Sequence, residues 1–196
     1  MRYPARHKTD THRKIVAAAT ELFRDRGLER VTVGEVMGKA GLTHGGFYAH
    51  FASKEALIAE ALGSGSGTSA SKLQAVAGRA APGGALKAMV QSYLSPAHRA
   101  RRARGCIIAA LSGEAGRAAP EARSALAARS RGLARTLLPH LPGPPSESRE
   151  DTARAAAACL IGGLILARLE DDPAESDRLL AACRRFILDG VERPTD

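Results

Sequence analysis

The stretch Thr32–Lys54, which reads TVGEVMGKAGLTHGGFYAHFASK, decides the fold of this chain. Its first residue is followed three positions later by Glu35, the capping-box pattern that marks the start of a helix. Apolar residues recur at helical spacing from there to Gly41, where this helix is predicted to end. A short second helix is predicted from about Thr43 to His50. Two helices joined by a glycine-containing turn are typical of a helix-turn-helix.

The residues of the second helix favour contact with DNA. The consecutive glycines Gly45 and Gly46 each weaken an isolated helix by about 1 kcal/mol relative to alanine, and a backbone without side chains can approach DNA closely. Thr43 and His44 are placed to reach base edges or phosphates, and the hydroxyl of Tyr48 suits a phosphate oxygen. Because the second helix of this motif lies in the major groove, the pattern predicts a DNA-binding segment.

Two residues at other helix starts suit phosphate groups. Lys54 lies in the first turn of the next predicted helix, where N–H groups and the ammonium can hold one phosphate together. Thr32 has a similar position at the start of the first helix of the motif. The alternative is that the glycine pair is a plain loop and that Tyr48 belongs to the core, where Phe47 and Phe51 are predicted to lie.

Segments with helical periodicity fill the rest of the chain, and no stretch shows the alternation of a β-strand. The predicted fold class is therefore all-α. The predicted helices cover about 9–26, 32–40, 43–50, 53–62, 84–94, 105–117, 120–138, 149–169 and 173–190. The run Gly63–Ser71, which reads GSGSGTSAS, is the most linker-like part of the chain. It is interpreted as the fraying end of the fourth helix, and the alternative is a loop between domains.

The composition favours a helical protein with a polyanionic partner. Hydrophobic residues make up 44% of the 196 residues and aromatic residues only 4%, so alanine and leucine are expected to fill the core. The formal net charge is +9, and a basic balance favours nucleic acid or an anionic membrane as the partner. Residues 1–54 carry ten Lys and Arg against five Asp and Glu, which makes this part the more basic per residue.

Cysteine usage and the apolar runs predict the compartment and the cofactors. The three cysteines are scattered without C-x-x-C spacing, so neither a disulfide framework nor a metal site is predicted, and a reduced cytoplasm is expected. The polar opening residues are unlike a signal peptide, and the longest apolar run, Ala155–Ala167, is too short to cross a bilayer. We therefore expect a cytoplasmic chain with no membrane partner, no metal and no cofactor.

Taken together, these motifs resemble the TetR/AcrR family of repressors. The similarity extends from Ile15 to Leu57. It rests on L-F-x-x-x-G at Leu22–Gly27, T-V-x-E-V at Thr32–Val36, A-G-L-T at Ala40–Thr43 and G-F-Y-x-H-F-x-S-K-E-x-L at Gly46–Leu57. Beyond this segment, the order of the helices is also similar, as is G-C followed by A-L-x-x-E at Gly105–Glu114.

The resemblance implies an Ω-shaped homodimer of about nine helices per chain, the number predicted above. It implies a helix-turn-helix DNA-binding domain at 1–53 and a ligand-binding and dimerisation domain at 54–196, with double-stranded operator DNA and a small-molecule effector as partners. It places DNA contacts at Thr32, Thr43, His44, Gly45, Tyr48, His50 and Lys54. Many members have lysine where this chain has His44, and a histidine contact would be sensitive to pH because unperturbed histidine titrates near pH 6.5.

The last two predicted helices are the expected dimer contact. The resemblance pairs them across a two-fold axis as a four-helix bundle, and their composition agrees, because obligate dimers bury apolar surfaces that resemble a core. Gly162 and Gly163 allow close approach of helices. The candidate dimerisation residues are Leu160, Gly163, Leu164, Leu179, Cys183 and Phe186. The alternative is that the 149–169 helix is an ordinary core helix of a monomer.

The effector pocket is expected among the middle helices. Its candidate lining residues are Met89, Tyr93, Cys106, Ile107, Ala110 and Leu111, although residues of these types also suit a plain core. A sharper hypothesis makes Cys106 an oxidant-sensing thiol, because Arg101, Arg102 and Arg104 precede it and nearby cations favour the reactive thiolate. The alternative is a small buried hydrophobe. The basic run 98–104 is interpreted as a solvated turn.

These features predict a repressor that binds a palindromic operator as a dimer and is released by a small inducer. One rival is a ligand-independent activator or a general DNA-binding protein, and the latter would coat DNA broadly and with strong dependence on salt. Another is a small-molecule carrier that uses the helical core. An enzyme is not expected, because the sequence has no nucleophile elbow, phosphate-binding loop, H-E-x-x-H motif or usefully spaced pair of carboxylates.

Overall fold

Helices make up the secondary structure of the computed structural model, which describes residues 5–64, 69–115, 117 and 119–192. Within these ranges there is no strand, which confirms the all-α prediction. The helices are α1 (Ala5–Arg26), α2 (Val33–Lys39), α3 (Lys54–Gly63), α4 (Ser69–Ala77), α5 (Ala85–Tyr93), α6 (Pro96–Ala100), α7 (Ile107–Ala115), α8 (Pro120–Leu137), α9 (Glu147–Ala167) and α10 (Pro173–Glu192). Two short 3-10 helices cover His44–Ala49 and Leu138–His140.

Three parts of this order differ from the prediction. The segment after the turn is a 3-10 helix rather than an α-helix, which fits the low helix propensity of consecutive glycines. The run 98–104 was expected to be a turn, but its first residues belong to helix α6, which Ser95 caps and in which Pro96 occupies the first position, where proline is favoured. Residues 102–104 form the expected turn. Fraying of the fourth helix was predicted over Gly63–Ser71, but α3 ends at Gly63 and a further helix that was not predicted, α4, begins at Ser69. Residues 65–68 of this run lie outside the described ranges.

The first compact unit comprises Met1–Gly65 and Ala110–Ala127. Its core contains the predicted faces of the N-terminal helices. Residues at most 1% exposed there include Ile15, Ala19, Phe23, Val36, Met37, Phe47, Leu57, Ala61 and Leu62. Helix α3 packs on α1, and the Thr20 hydroxyl donates hydrogen bonds to the carbonyls of Val16 at 2.7 Å and of Ala61 at 3.4 Å. By its contacts, α3 thus groups with the N-terminal helices, beyond the boundary expected after residue 53.

The second compact unit comprises Ser66–Ala109 and Ala128–Asp196. In it α9 packs along α10, and α5 packs against α4, α9 and α10. A Cβ atom at Gly163 would lie 2.8 Å from Cys183 Sγ and 3.2 Å from Leu94 Cδ2, so this glycine allows close approach of helices within the chain rather than at the predicted dimer contact. Gly162, by contrast, has open space where a Cβ would be.

Candidate nucleic-acid interface

The start of α2 is held by the predicted capping box. The Thr32 hydroxyl accepts the backbone N–H of Glu35 at 3.2 Å, and the Thr32 backbone N–H donates to Glu35 Oε2 at 2.8 Å. Arg26 donates to the other carboxylate oxygen, also at 2.8 Å. The hydrogen bonds from the Thr32 backbone and hydroxyl, followed by the charge of Arg26, lower the pKa of Glu35. The expected phosphate contact Thr32 is therefore fixed in position by its own helix.

A glycine turn leads from α2 to the 3-10 helix. Gly41 has a φ of 73°, in the left-handed region that glycine adopts readily, and the N–H of Leu42 donates to the Met37 carbonyl at 2.9 Å. Phe47 is 1% exposed, and a Cβ at Gly46 would lie 3.6 Å from Met37 Cε. These contacts fix one side of the 3-10 helix to the core of the first unit.

The other side of the 3-10 helix is exposed. The Tyr48 side chain is 67% exposed, which confirms that it lies outside the core, while Phe47 and Phe51 lie within it as predicted. Thr43 and His44 are also exposed, and no atom lies within 4 Å of where a Gly45 Cβ would be. The structure thus brings four of the seven expected DNA contacts to one exposed strip of backbone and side chains.

A further glycine, which sequence reasoning missed, joins this strip to the start of α2. A Cβ at Gly34 would lie 3.7 Å from His44 Cδ2 and 3.9 Å from Thr32 Oγ1. The imidazole of His44 and the hydroxyl of Thr32 therefore both lie beside this exposed residue. Its position two residues after the cap was the available signal, because a glycine there keeps the start of a helix free of side chains.

His50 differs from the other expected contacts because it is half-buried. Its ring centroid lies 5.8 Å from that of His12, which stacks on Phe51 and lies with Nε2 2.6 Å from Glu60 Oε1. Burial, and then the charges of His12 and Lys8, lower the pKa of His50. The role of His12 was missed, although it falls on the same helical face as the buried Ile15.

Lys54 is the first residue of α3 and follows the cap Ser53, whose hydroxyl accepts the N–H of Ala56 at 3.2 Å. Its ammonium donates to the Glu29 carbonyl at 3.1 Å. The predicted position at a helix start is therefore confirmed. The side chain also borders a cavity of about 240 Å³ in the first unit, which Glu55, Ile58 and Glu114 help to line.

The geometry described above has counterparts among known proteins. The family model described as bacterial regulatory proteins, tetR family, matches residues 15–61. Over this N-terminal segment the chain is similar to the TetR family. The match contains α2, the glycine turn, the 3-10 helix and most of α3, so the resemblance inferred from the motifs is confirmed.

Two curated relatives match the N-terminal part of the chain. The A-factor receptor protein of Streptomyces griseus is 50% identical over 52 residues, which are 26% of this chain and 18% of that protein. The HTH-type transcriptional repressor KstR2 of Mycolicibacterium smegmatis is 39% identical over 49 residues, which are 25% of this chain and 24% of that protein. The matched segment thus spans less than a quarter of the length of either relative.

The fold of the whole chain is similar to that of solved TetR-family structures. The crystal structure of the reduced form of Escherichia coli NemR superposes with a TM-score of 0.78 and covers 95% of this chain and 100% of that one, at 21% sequence identity. At this identity the likeness shows a shared fold. It confirms an N-terminal helix-turn-helix followed by a helical C-terminal part.

The residues expected to line an effector pocket are divided between the two units. Met89, Tyr93, Cys106 and Ile107 are each at most 2% exposed in the second unit, and Leu111 is equally buried in the first, where Ala110 is half-buried. Tyr93 borders a cavity of about 120 Å³ in the second unit. The thiol of Cys106 is enclosed, and the Cys106 N–H donates to His98 Nε2 at 3.2 Å. This burial favours the small-hydrophobe interpretation over a surface-exposed sensor.

The candidate dimerisation residues fall into two groups. Leu160, Gly163 and Leu164 are buried within a single chain, so they have no surface to offer a second one. This corrects their expected role, because α9 turns these residues toward its own unit. Leu179 and Cys183 are half-buried, and Phe186 is 73% exposed. The large apolar side chains that remain exposed on these two helices include Leu166 and Phe186.

Two further expectations concern metals and membranes. In the described part of the chain, no three His, Cys, Asp or Glu side chains are grouped in a way that could hold a metal ion. Over the same residues, no helix combines the length and apolarity that spanning a bilayer requires.

Proposed function

We propose that this chain is a transcriptional repressor of the TetR family that binds a palindromic operator as a homodimer and is released by a small-molecule effector. The observation that carries the proposal is the exposed strip of the 3-10 helix, with Gly45 open to solvent and Tyr48 beside it. Its opposite side is fixed to the core through Phe47. A rigid segment with a bare backbone and hydrogen-bonding side chains suits a DNA groove.

The seven expected contacts keep their proposed roles, with the detail that the structure adds. Thr43, His44 and Tyr48 lie where base edges and phosphates would be reached, and Gly45 allows close approach of the backbone. Thr32 and Lys54 lie at helix starts, which favour phosphate. His50 is only half exposed, so its proposed role is to support the 3-10 helix beside DNA as well as to contact it.

A dimer would present two such strips to one DNA duplex. Proteins with this motif read half-sites about one helical turn apart, roughly 34–36 Å from centre to centre. The exposed apolar residues Leu166 on α9 and Phe186 on α10 support a second chain as the partner of these helices. We keep the functional division at 53 and 54 in this proposal, with dimer contacts and effector binding assigned to residues 54–196.

Release by an effector requires a coupling to the helix-turn-helix, because a ligand lowers DNA affinity only by favouring a conformation that fits the operator worse. Helix α7 is suited to this role. It carries the candidate ligand contacts Ala110 and Leu111 and, one turn later, Glu114. Glu114 Oε2 accepts the N–H of Leu28 at 2.6 Å, in the turn that joins α1 to α2. A shift of α7 would therefore act on the turn behind the helix-turn-helix.

The test is a mobility-shift measurement on the DNA upstream of the chain's own coding region, together with selection of bound DNA from a random pool. The proposal expects a single palindromic footprint. Gly45→Gln should fold normally, because the space around it is open, but should weaken operator binding at least about tenfold, since one good groove contact contributes 1–3 kcal/mol. Gly132→Gln, at an equally open glycine on α8, is the matched control.

Two outcomes would contradict the proposal. One is broad, salt-sensitive coating of any DNA sequence by the native chain, which would favour a general DNA-binding protein. The other is equal operator affinity of the Gly45→Gln and Gly132→Gln variants. If the chain forms a sequence-specific complex with DNA that no small molecule dissociates, the DNA-binding part of the proposal stands and the effector part is wrong.

A further inference from the structure

A cavity of about 120 Å³ in the second unit is lined by residues of one charge. Three segments form its wall: α4, the end of α5 with the start of α6, and the loop that follows α6. The lining residues are Ser69, Lys72, Leu73, Ser92, Tyr93, Ser95, His98, Arg101 and Arg104. Three of them are cations, four carry hydroxyls, and none is a carboxylate. A single water needs roughly 10–15 Å³ of such space, so the cavity has room for a carboxylate or phosphate group.

Hydrogen bonds hold this cavity in shape. Lys72 Nζ donates to the Arg104 carbonyl at 2.8 Å and thereby joins α4 to the loop after α6. The Ser95 hydroxyl donates to the Ser92 carbonyl at 2.9 Å and accepts the His98 N–H at 3.1 Å. Arg101 Nε donates to the Ala97 carbonyl at 3.1 Å. The cations therefore stand on a wall that is already ordered before a ligand binds.

His98 braces the wall as a neutral imidazole. Its Nδ1–H donates to the Tyr93 carbonyl at 2.7 Å, and its Nε2 accepts the Cys106 N–H at 3.2 Å. An imidazolium would have no lone pair for the second bond. Burial lowers the pKa of His98, and the charges of Arg168, Lys72 and Arg101 lower it further. The electrostatic field at this histidine is therefore positive, as the lining of the cavity indicates.

We propose that this cavity binds an anionic group, a carboxylate or a phosphate, and that the effector of this regulator carries such a group. Lys72, Arg101 and Arg104 supply the charge, and the hydroxyls of Ser69 and Ser92 supply neutral donors. Charge-assisted hydrogen bonds are among the strongest that proteins make. The claim that the anion belongs to the effector rests on the proposed function. The claim that the cavity binds an anion rests on the lining of the cavity alone.

The probe for the site is inorganic phosphate, titrated into the purified full chain at constant ionic strength with chloride as the balancing salt. Native protein should show a saturable rise in melting temperature, because a ligand that binds only the folded state stabilises it. In Lys72→Gln/Arg104→Gln the phosphate concentration for half-saturation should rise at least about tenfold, since hydrogen bonds to charged groups contribute 1.5–3 kcal/mol each. Arg131→Gln/Arg135→Gln, at exposed positions on α8, removes the same charge elsewhere and should respond as the native chain does.

Phosphate also suits the 3-10 helix, so the site of binding is located by amide chemical shifts. The proposal expects saturable shifts of the amide signals of residues 69–73 and 92–104. The phosphate concentration that gives half of these shifts should equal the concentration that gives half of the rise in melting temperature. Shifts confined to residues 32–54 would overturn it. Equal responses of the two double variants would also overturn it, because they would indicate general screening of a basic protein.

Operator affinity separates this proposal from the proposed function. If Lys72→Gln/Arg104→Gln loses operator affinity and Arg131→Gln/Arg135→Gln does not, the cavity is an additional DNA contact and the effector assignment is wrong. If phosphate binds at the cavity but the chain recognises no operator, the proposed repressor function is wrong and the proposed anion site stands. The reverse result, specific operator binding without a phosphate response, would refute the anion site alone.

Discussion

In each compact unit, a glycine that is closely covered by its own chain can be compared with one that is open. In the first unit, a Cβ at Gly27 would lie 2.4 Å from Glu114 Oε1, whereas Gly45 has empty space around it. In the second unit, Gly163 is covered by Cys183 and Leu94, whereas Gly162 is open. The covered glycines allow packing within a chain. Gly45 and Gly162 lie on surfaces that we propose for partners, DNA in the first unit and a second chain in the second.

The surfaces around the two open glycines differ in chemistry. Beside Gly45 lie the imidazole of His44 and the hydroxyl of Tyr48, groups that exchange hydrogen bonds with water as readily as with DNA. On the helices of the second unit, Leu166 and Phe186 expose 53% and 73% of their surface and can be satisfied only by apolar contact. The difference supports the proposals of a transient partner at the surface beside Gly45 and a permanent partner at the helices that carry Leu166 and Phe186.

Gly27→Ala should have the largest effect of any single change considered. Its φ of 88° costs a residue with a side chain about 1–2 kcal/mol. The new methyl would also displace the Glu114 carboxylate from the Leu28 N–H, and a hydrogen bond to a charged group contributes about 1.5–3 kcal/mol. We expect a loss of about 3 kcal/mol in the free energy of unfolding, measured by denaturant titration.

The matched control is Gly83→Ala in the second unit. Gly83 also has a positive φ, 74°, but nothing lies within 4 Å of the new Cβ. The loss in the free energy of unfolding of Gly83→Ala should therefore be limited to the cost of the positive φ. Equal losses for the two variants would show that the Glu114 contact contributes nothing, and the proposed coupling through α7 would lose its support.

Gly163→Ala should come second. The added methyl would lie 2.8 Å from Cys183 Sγ, and overpacking of this kind costs about 1–3 kcal/mol, partly offset by the better helix propensity of alanine. Gly162→Ala, one residue away and open, should instead stabilise the isolated chain. Thermal unfolding at low protein concentration would show opposite signs for the two variants, and a shared sign would contradict the packing of α9 on α10.

These two neighbouring glycines also show where prediction from sequence ends. The capping box at Thr32 and the turn at Gly41 were predictable because each depends on one residue type at a fixed position along the chain. Apolar and small residues occur on almost every side of α9, so periodicity cannot tell which side faces the core. Leu160 and Leu164 were therefore assigned to an interface, although both are buried within the chain and Leu166 is the exposed leucine of this helix. The cation-lined cavity could not be predicted for a related reason, because Lys72 and Arg104 meet only through tertiary structure.

Phe186→Ser should leave the single chain almost as stable as before, because the side chain is 73% exposed. It should weaken the proposed dimer at least about tenfold, as expected for an aromatic residue at the centre of an interface. Analytical ultracentrifugation over a range of concentrations measures this change. Tyr48→Ser, at a similarly exposed aromatic in the first unit, should weaken operator binding and leave the dimer unchanged. Dimer dissociation caused by the Tyr48 change, or its absence with the Phe186 change, would refute the assignment of the two surfaces.

The smallest effect concerns Glu35 and depends on pH. Because hydrogen bonds from Thr32 lower the pKa of this carboxylate in the folded chain, the unfolded chain binds its proton first as the pH falls. The capping box therefore contributes its full stability above the unfolded pKa of about 4.5 and loses it as the pH falls through the lower, folded value. Glu35→Gln should narrow the difference in the free energy of unfolding between pH 7 and pH 3. Glu55→Gln, at the start of α3, serves as the comparison, because the pKa of Glu55 is lowered by a hydrogen bond from its own backbone and then by Ser53, without a reciprocal cap. If Glu35→Gln leaves the pH dependence of unfolding unchanged, the carboxylate does not help to hold α2 in place, and the support of the 3-10 helix must come from Met37 and Phe47 alone.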